Sequence, residues 1–102
     1  MKSNIIFSSK ASKTLQETFD WYEVRSEGLG LRFVELIDKS LKLISQNPES
    51  FPAKINNYRE FVLNKFPYII VYEYSKEQNA IYILHIFHTK RNPKQKLKRT
   101  IK

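Results

Sequence analysis

The spacing of apolar residues changes period several times along the chain, and each change marks an element. Residues 3–8 hold Ile5, Ile6 and Phe7 between polar flanks, which reads as a short strand. Ala11, Leu15, Phe19 and Tyr22 then recur at helical spacing, with Trp21 on the shoulder of that face. Ser8 or Ser9 suits the N-cap, where a hydroxyl accepts an orphan amide hydrogen bond. This helix is expected to stop near Gly28, since Gly28 and Gly30 are the only glycines of the chain. A second helix over about 29–46 carries Leu29, Phe33, Leu36, Ile37, Leu41 and Ile44 as one stripe, and Asn47-Pro48 ends it. So short a link predicts an antiparallel helical hairpin.

The period then drops to two. Residues 58–64 alternate around Phe61 and Leu63, 68–74 are aromatic and β-branched, and 80–88 are almost continuously apolar. Lys65-Phe66-Pro67 and residues 75–79 are short connections, so the three strands form an antiparallel meander. The last strand is expected to be central, with the first strand of the chain beside it or at the far edge. The fold class is α+β: one small domain, β-α-α-β-β-β, with an α-hairpin packed on a mainly antiparallel sheet.

Composition narrows the chemistry. The chain has 102 residues, enough for one domain, and no cysteine, which excludes disulfide scaffolds and thiol catalysis. No apolar stretch is long enough for a membrane span or a signal-peptide core, so the expected location is cytoplasmic. The net charge of +8 is unevenly placed. Residues 1–89 hold 11 basic and 10 acidic side chains, whereas 90–102 hold seven basic ones and no acid. That asymmetry suits a polyanion or an acidic protein as partner, or a tail that merely keeps the protein soluble.

Catalytic and metal-binding patterns are sparse. His85 and His88, the only histidines, lie three apart in a strand and should face opposite sides of the sheet. No metal site and no cofactor are expected. His85 reads as a satisfied sheet histidine, and His88, at the strand end, as either a functional group or an ordinary surface imidazole. Asp20 with Glu23, and Glu35 with Asp38, read as solvated helix charges. Two glycines cannot build a phosphate loop. What remains is cationic: Arg59, Lys65, Lys90 and Arg91, with Tyr58, Tyr68, Tyr72, Tyr74 and Tyr82 as stacking surfaces or packing groups. Arg59 meets Lys90 and Arg91 only if the last strand lies inside the sheet.

Three runs of residues resemble a known family. They are Phe19-Asp20-Trp21-Tyr22 with Gly28-Leu29-Gly30-Leu31-Arg32-Phe33, then Phe66-Pro67-Tyr68-Ile69-Ile70-Val71-Tyr72, then His85-Ile86-Phe87-His88-Thr89-Lys90-Arg91-Asn92-Pro93. The set is similar to the RelE/ParE toxin superfamily, and to its ParE-like, plasmid-stabilisation branch. The likeness spans about 3–93, which implies a toxin domain over 1–93 and a basic tail over 94–102.

The resemblance implies the toxin of a type II toxin–antitoxin pair. Such a toxin is neutralised by an acidic or amphipathic antitoxin and meets operator DNA only through it. Members act on one of two targets. RelE-like toxins cleave messenger RNA on the ribosome, and ParE-like toxins inhibit DNA gyrase without cutting nucleic acid. The nuclease branch carries an arginine just before the L-V-Y of its second meander strand. Aligning that strand on Val71-Tyr72 puts Ile69 there, and isoleucine cannot stabilise phosphorane charge. No Tyr follows Tyr82, although His88 is placed for acid–base work, with Arg59 and Arg91 as phosphate binders. The balance favours a gyrase-binding toxin whose target contacts are Arg59, Lys65, His88, Lys90 and Arg91. The alternatives are an mRNA endonuclease using His88, Arg59 and Arg91, and a plain nucleic-acid-binding module driven by the tail.

Overall fold

The computed structural model describes residues 3–53 and 58–89. The elements run β1 (Asn4–Phe7), α1 (Ser9–Arg25), α2 (Leu29–Gln46), β2 (Tyr58–Val62), β3 (Tyr68–Ser75) and β4 (Ala80–His88). The sheet order is β1-β4-β3-β2. β2, β3 and β4 form the expected antiparallel meander, and β1 joins β4 in parallel, so β4 is interior.

Ser8 is the residue that turns strand into helix. Its Oγ accepts from the Ala11 N–H at 2.9 Å, capping α1, and donates to the Leu84 carbonyl at 2.9 Å. The same hydroxyl thus starts α1 and fastens it to β4.

The helical hairpin is built differently from its sequence reading. α1 ends at Arg25, and Gly28 is instead the N-cap of α2, at φ +87° in the left-handed region that glycine alone enters freely. Gly30 is required by packing. A Cβ there would come within 2.5 Å of the Phe19 carbonyl oxygen, so only a hydrogen lets α2 approach α1. Glu23 is not the solvated helix charge that its spacing suggested. Its carboxylate accepts from the N–H groups of Gly28 (3.0 Å), Gly30 (2.9 Å) and Leu31 (3.3 Å). Orphan amides and the positive end of a helix both favour an anion at that place. The Gly28 N–H, aided by those of Leu31 and Gly30, holds the carboxyl below its usual range, against partial desolvation.

One face of the sheet packs on the helices. Phe33, Ile37 and Ile44 of the second stripe meet Tyr68, Ile70, Tyr72, Ile81, Ile83 and Ile86, all essentially inaccessible. Around Phe33 the rings of Tyr22, Phe66 and Tyr68 make edge or tilted contacts at 5.1–5.8 Å between centroids. Such pairs add about 0.5–1.5 kcal/mol each beyond burial.

A bulge decides which residues reach this face. Val71 pairs with His85 and Tyr72 with Ile83, so Leu84 is an extra residue in β4. It reverses the alternation, and Ile83 and Ile86, three apart, therefore face the same way. Beyond it His85 and Phe87 point to the opposite face. There Ile69, Val71 and Phe87 form a second buried cluster with Tyr58 against it, and neither helix belongs to it.

Candidate functional site

The sequence-predicted site residues divide between two places. Arg59 opens β2 opposite Tyr72, on the helix-side face. Its Nη1 donates to the carbonyls of Phe51 (2.7 Å) and Glu49 (3.1 Å), while the Tyr72 hydroxyl donates to the Pro48 carbonyl (2.7 Å). Together they hold down the connection that leaves α2. Burial pushes the Tyr72 phenol up to about 12, with the Arg59 charge working in the opposite direction.

Lys65 and His88 sit at the other end. Lys65 lies in the β2–β3 turn, and His88 pairs with Tyr68 and meets its ring edge-on at 5.0 Å. Thr89 closes this end, its N–H and its hydroxyl both donating to the Pro67 carbonyl, at 2.8 and 3.3 Å. Lys90 and Arg91 follow in the chain and lie outside the described residues. β4 is interior as the convergence required, yet β3 separates it from β2. Four register positions along β3, about 13 Å, also lie between the Arg59 and His88 levels. The structure therefore brings Lys65 and His88 to one end and places Arg59 elsewhere.

His85 was expected to be a satisfied sheet histidine. It is buried on the helix-free face, stacked on Phe87 at 5.1 Å, and neither ring nitrogen has a hydrogen-bond partner. Burial depresses its pKa, favouring the neutral ring. The two histidines do face opposite sides, because the bulge precedes both. Among the described residues no three His, Asp or Glu side chains cluster as a metal ion would need.

The helix-free face is closed and apolar at its centre. Ile69, Val71 and Phe87 make its centre, with Glu60 and Glu73 at the flanking register positions of β2 and β3. No described Lys or Arg belongs to these strand positions. Of the expected tyrosines, Tyr68 and Tyr72 are core residues on the other side, while Tyr58 borders this face.

The fold, two helices packed on a four-stranded mixed sheet, is that of solved toxins of toxin–antitoxin systems. Two solved structures align over nearly their whole length. One is a chromosomal ParDE toxin–antitoxin system from P. aeruginosa, at TM-score 0.72 and 21% identity, covering 85% of this chain and 96% of that one. The other is a double-arginine variant of the E. coli toxin RelE in the free state, at TM-score 0.71 and 16% identity, covering 97% and 98%. The intact E. coli RelBE toxin–antitoxin complex aligns at TM-score 0.62 and 18% identity, covering 87% and 99%. No curated protein matches the sequence. The model of the ParE toxins of type II toxin–antitoxin systems, parDE, matches residues 5–93. The chain belongs to that family.

No helix among the described residues is long and apolar enough to cross a membrane.

Proposed function

We propose that this toxin arrests growth by binding DNA gyrase, that it cuts no RNA, and that an acidic, amphipathic antitoxin silences it. The observation that carries this reading is Ile69. It lies at the centre of the helix-free face between Val71 and Phe87, with carboxylates at the flanking positions. Cleaving RNA requires preorganised positive charge where the phosphorane forms, and Ile69, buried among apolar side chains, supplies none. The match to the ParE toxin model supports the same branch. The target-contacting end is Lys65 and His88, continued by Lys90 and Arg91, while Arg59 anchors the α2–β2 connection. The toxins solved with antitoxins supply the precedent for the partner.

Purified protein is expected to block supercoiling of relaxed plasmid by gyrase and to leave translated messenger RNA intact. Ribosome-dependent cleavage in a reconstituted translation reaction would overturn the reading. If His88→Ala and Arg91→Ala each abolished that cleavage with the fold intact, His88 would be assigned to acid–base chemistry. Co-expression with the cognate antitoxin is expected to restore growth.

A further inference from the structure

The C-terminal part of α1 exposes apolar surface that neither the core nor the residues discussed above account for. Trp21, the only tryptophan of the chain, is 40% exposed, and Val24 is 83% exposed. Arg25 is the third member of the group. Its guanidinium lies over the indole, 3.4 Å from the ring centroid, and its Nη1 donates to the Trp21 carbonyl at 3.0 Å. Residues three and four apart are neighbours on a helix surface, so Trp21, Val24 and Arg25 form one patch. Tyr22 meets the indole edge-on at 5.1 Å, so the ring is braced by two side chains before any partner arrives. A ring ordered in advance loses less conformational freedom when it is buried.

Ring contacts place the patch within the molecule. Tyr22 meets Phe66 edge-on at 5.1 Å and Tyr68 at 6.4 Å, and Tyr68 in turn meets His88. Phe66 follows Lys65 in the β2–β3 turn. Trp21 therefore stands at the end of the molecule that carries Lys65 and His88. Arg25 and Lys65 are both exposed there, and the only ion pair among the described residues, Lys42 with Asp38, engages neither.

We infer that Trp21, braced by Arg25, is the apolar anchor of the target-binding end, and that it enters an apolar recess bordered by carboxylates on the target protein. This rests on the gyrase reading above. Three arguments select a protein of that chemistry. Tryptophan and arginine are among the residues that most often carry the binding energy of protein interfaces. Arg25 and Lys65, with Lys90 and Arg91 following His88 in the chain, favour carboxylates opposite them. Nucleic acid fits less well. Arg25 covers one face of the indole on which a base would stack, and the exposed Glu17 and Asp20, within about a turn of Trp21, repel phosphate. The same two carboxylates put the acidic border of the recess on the Arg25 side of the ring. A second copy docked patch to patch would crowd two Arg25 charges into one small interface.

The test uses the full-length toxin and purified gyrase holoenzyme, with affinity read by calorimetry. Replacing the single tryptophan by 5-hydroxytryptophan gives a fluorophore that is excited apart from the tryptophans of gyrase. Adding gyrase is expected to shield it from iodide quenching. Trp21→Ala is expected to weaken binding about 50-fold, Val24→Asp about 20-fold and Arg25→Ala about 10-fold. Val24 is so exposed that its substitution should leave the circular dichroism unchanged, and Lys13→Glu and Lys76→Glu should bind as the wild type does. If the wild type binds but Trp21→Ala and Val24→Asp bind within threefold of it, the anchor is overturned while the gyrase reading stands. Weakened binding with the indole still open to quencher would make Trp21 a structural support and would also overturn it. If the wild type binds no gyrase, both readings fall. If the variants keep gyrase binding and lose that of the cognate antitoxin, the patch belongs to the antitoxin and the assignment fails. If the toxin dimerises and Val24→Asp makes it a monomer with gyrase affinity unchanged, the occupant is a second copy and the assignment fails.

Discussion

The two faces of the sheet are buried to a similar degree but composed on different principles. Facing the helices, Phe33, Ile70, Ile83 and Ile86 interlock with buried tyrosine rings, and the hydroxyl of Tyr72 is satisfied by the Pro48 carbonyl. The opposite face is also inaccessible at Ile69, Val71 and Phe87, yet it includes an imidazole with two unpartnered nitrogens and has carboxylates at its flanks. An unsatisfied polar group in a packed face costs stability that an apolar residue would retain. The first face is therefore composed for stability, and the second tolerates groups that stability alone would not select.

Five measurements bear on that contrast. Phe33→Ala should have the largest effect, about 3–5 kcal/mol lost in denaturant unfolding, because it opens a cavity inside the aromatic cluster. Ile69→Ala should lose about 2–3 kcal/mol, and a loss equal to that of Phe33→Ala would break the distinction between the faces. Tyr72→Phe should cost about 1 kcal/mol, since it removes the donor to Pro48 but leaves the ring in place.

The remaining two effects are smaller and appear as titrations. Folded Glu23 resists protonation, so the unfolded chain takes the proton first as pH falls from 4.5. The clasp stabilises the fold above that pH and loses its effect as pH drops through the lowered native value. Glu23→Gln should flatten the acid limb of a melting-temperature profile. His85 is also held neutral in the fold, so protonation of the unfolded chain lowers stability progressively below about pH 6.5. His85→Phe should remove that slope, and a slope that persists would place the titration elsewhere.

Much of the architecture was legible in the alternation of apolar residues. The order of elements, the Ser8 cap, the α2 range and the interior position of β4 all follow from periodicity and turn chemistry. The bulge at Leu84 was not legible, because an almost continuously apolar run such as Ile81 to Phe87 has no clear period to interrupt. The Glu23 clasp was hidden for another reason: its partners are backbone amides, which have no letter in a sequence. Its only trace is a glutamate five and seven residues ahead of two glycines. Arg59 shows the limit for sites. An arginine that satisfies carbonyls reads the same, residue by residue, as one waiting for a phosphate.

The parallel pairing of β1 with β4 also has a consequence for the order of synthesis. Asn4 pairs with Ala80 and Phe7 with Ile83, and the Ser8 hydroxyl waits for the Leu84 carbonyl, 76 residues later. The helical hairpin, closed by contacts only a few residues long, is free to form early. The sheet is not. Until β4 has left the ribosome, β1 has no neighbour, β3 has an open edge, and the end that brings Lys65 to His88 does not exist. The sheet is therefore completed only when β4 emerges, after the helical hairpin has had time to close.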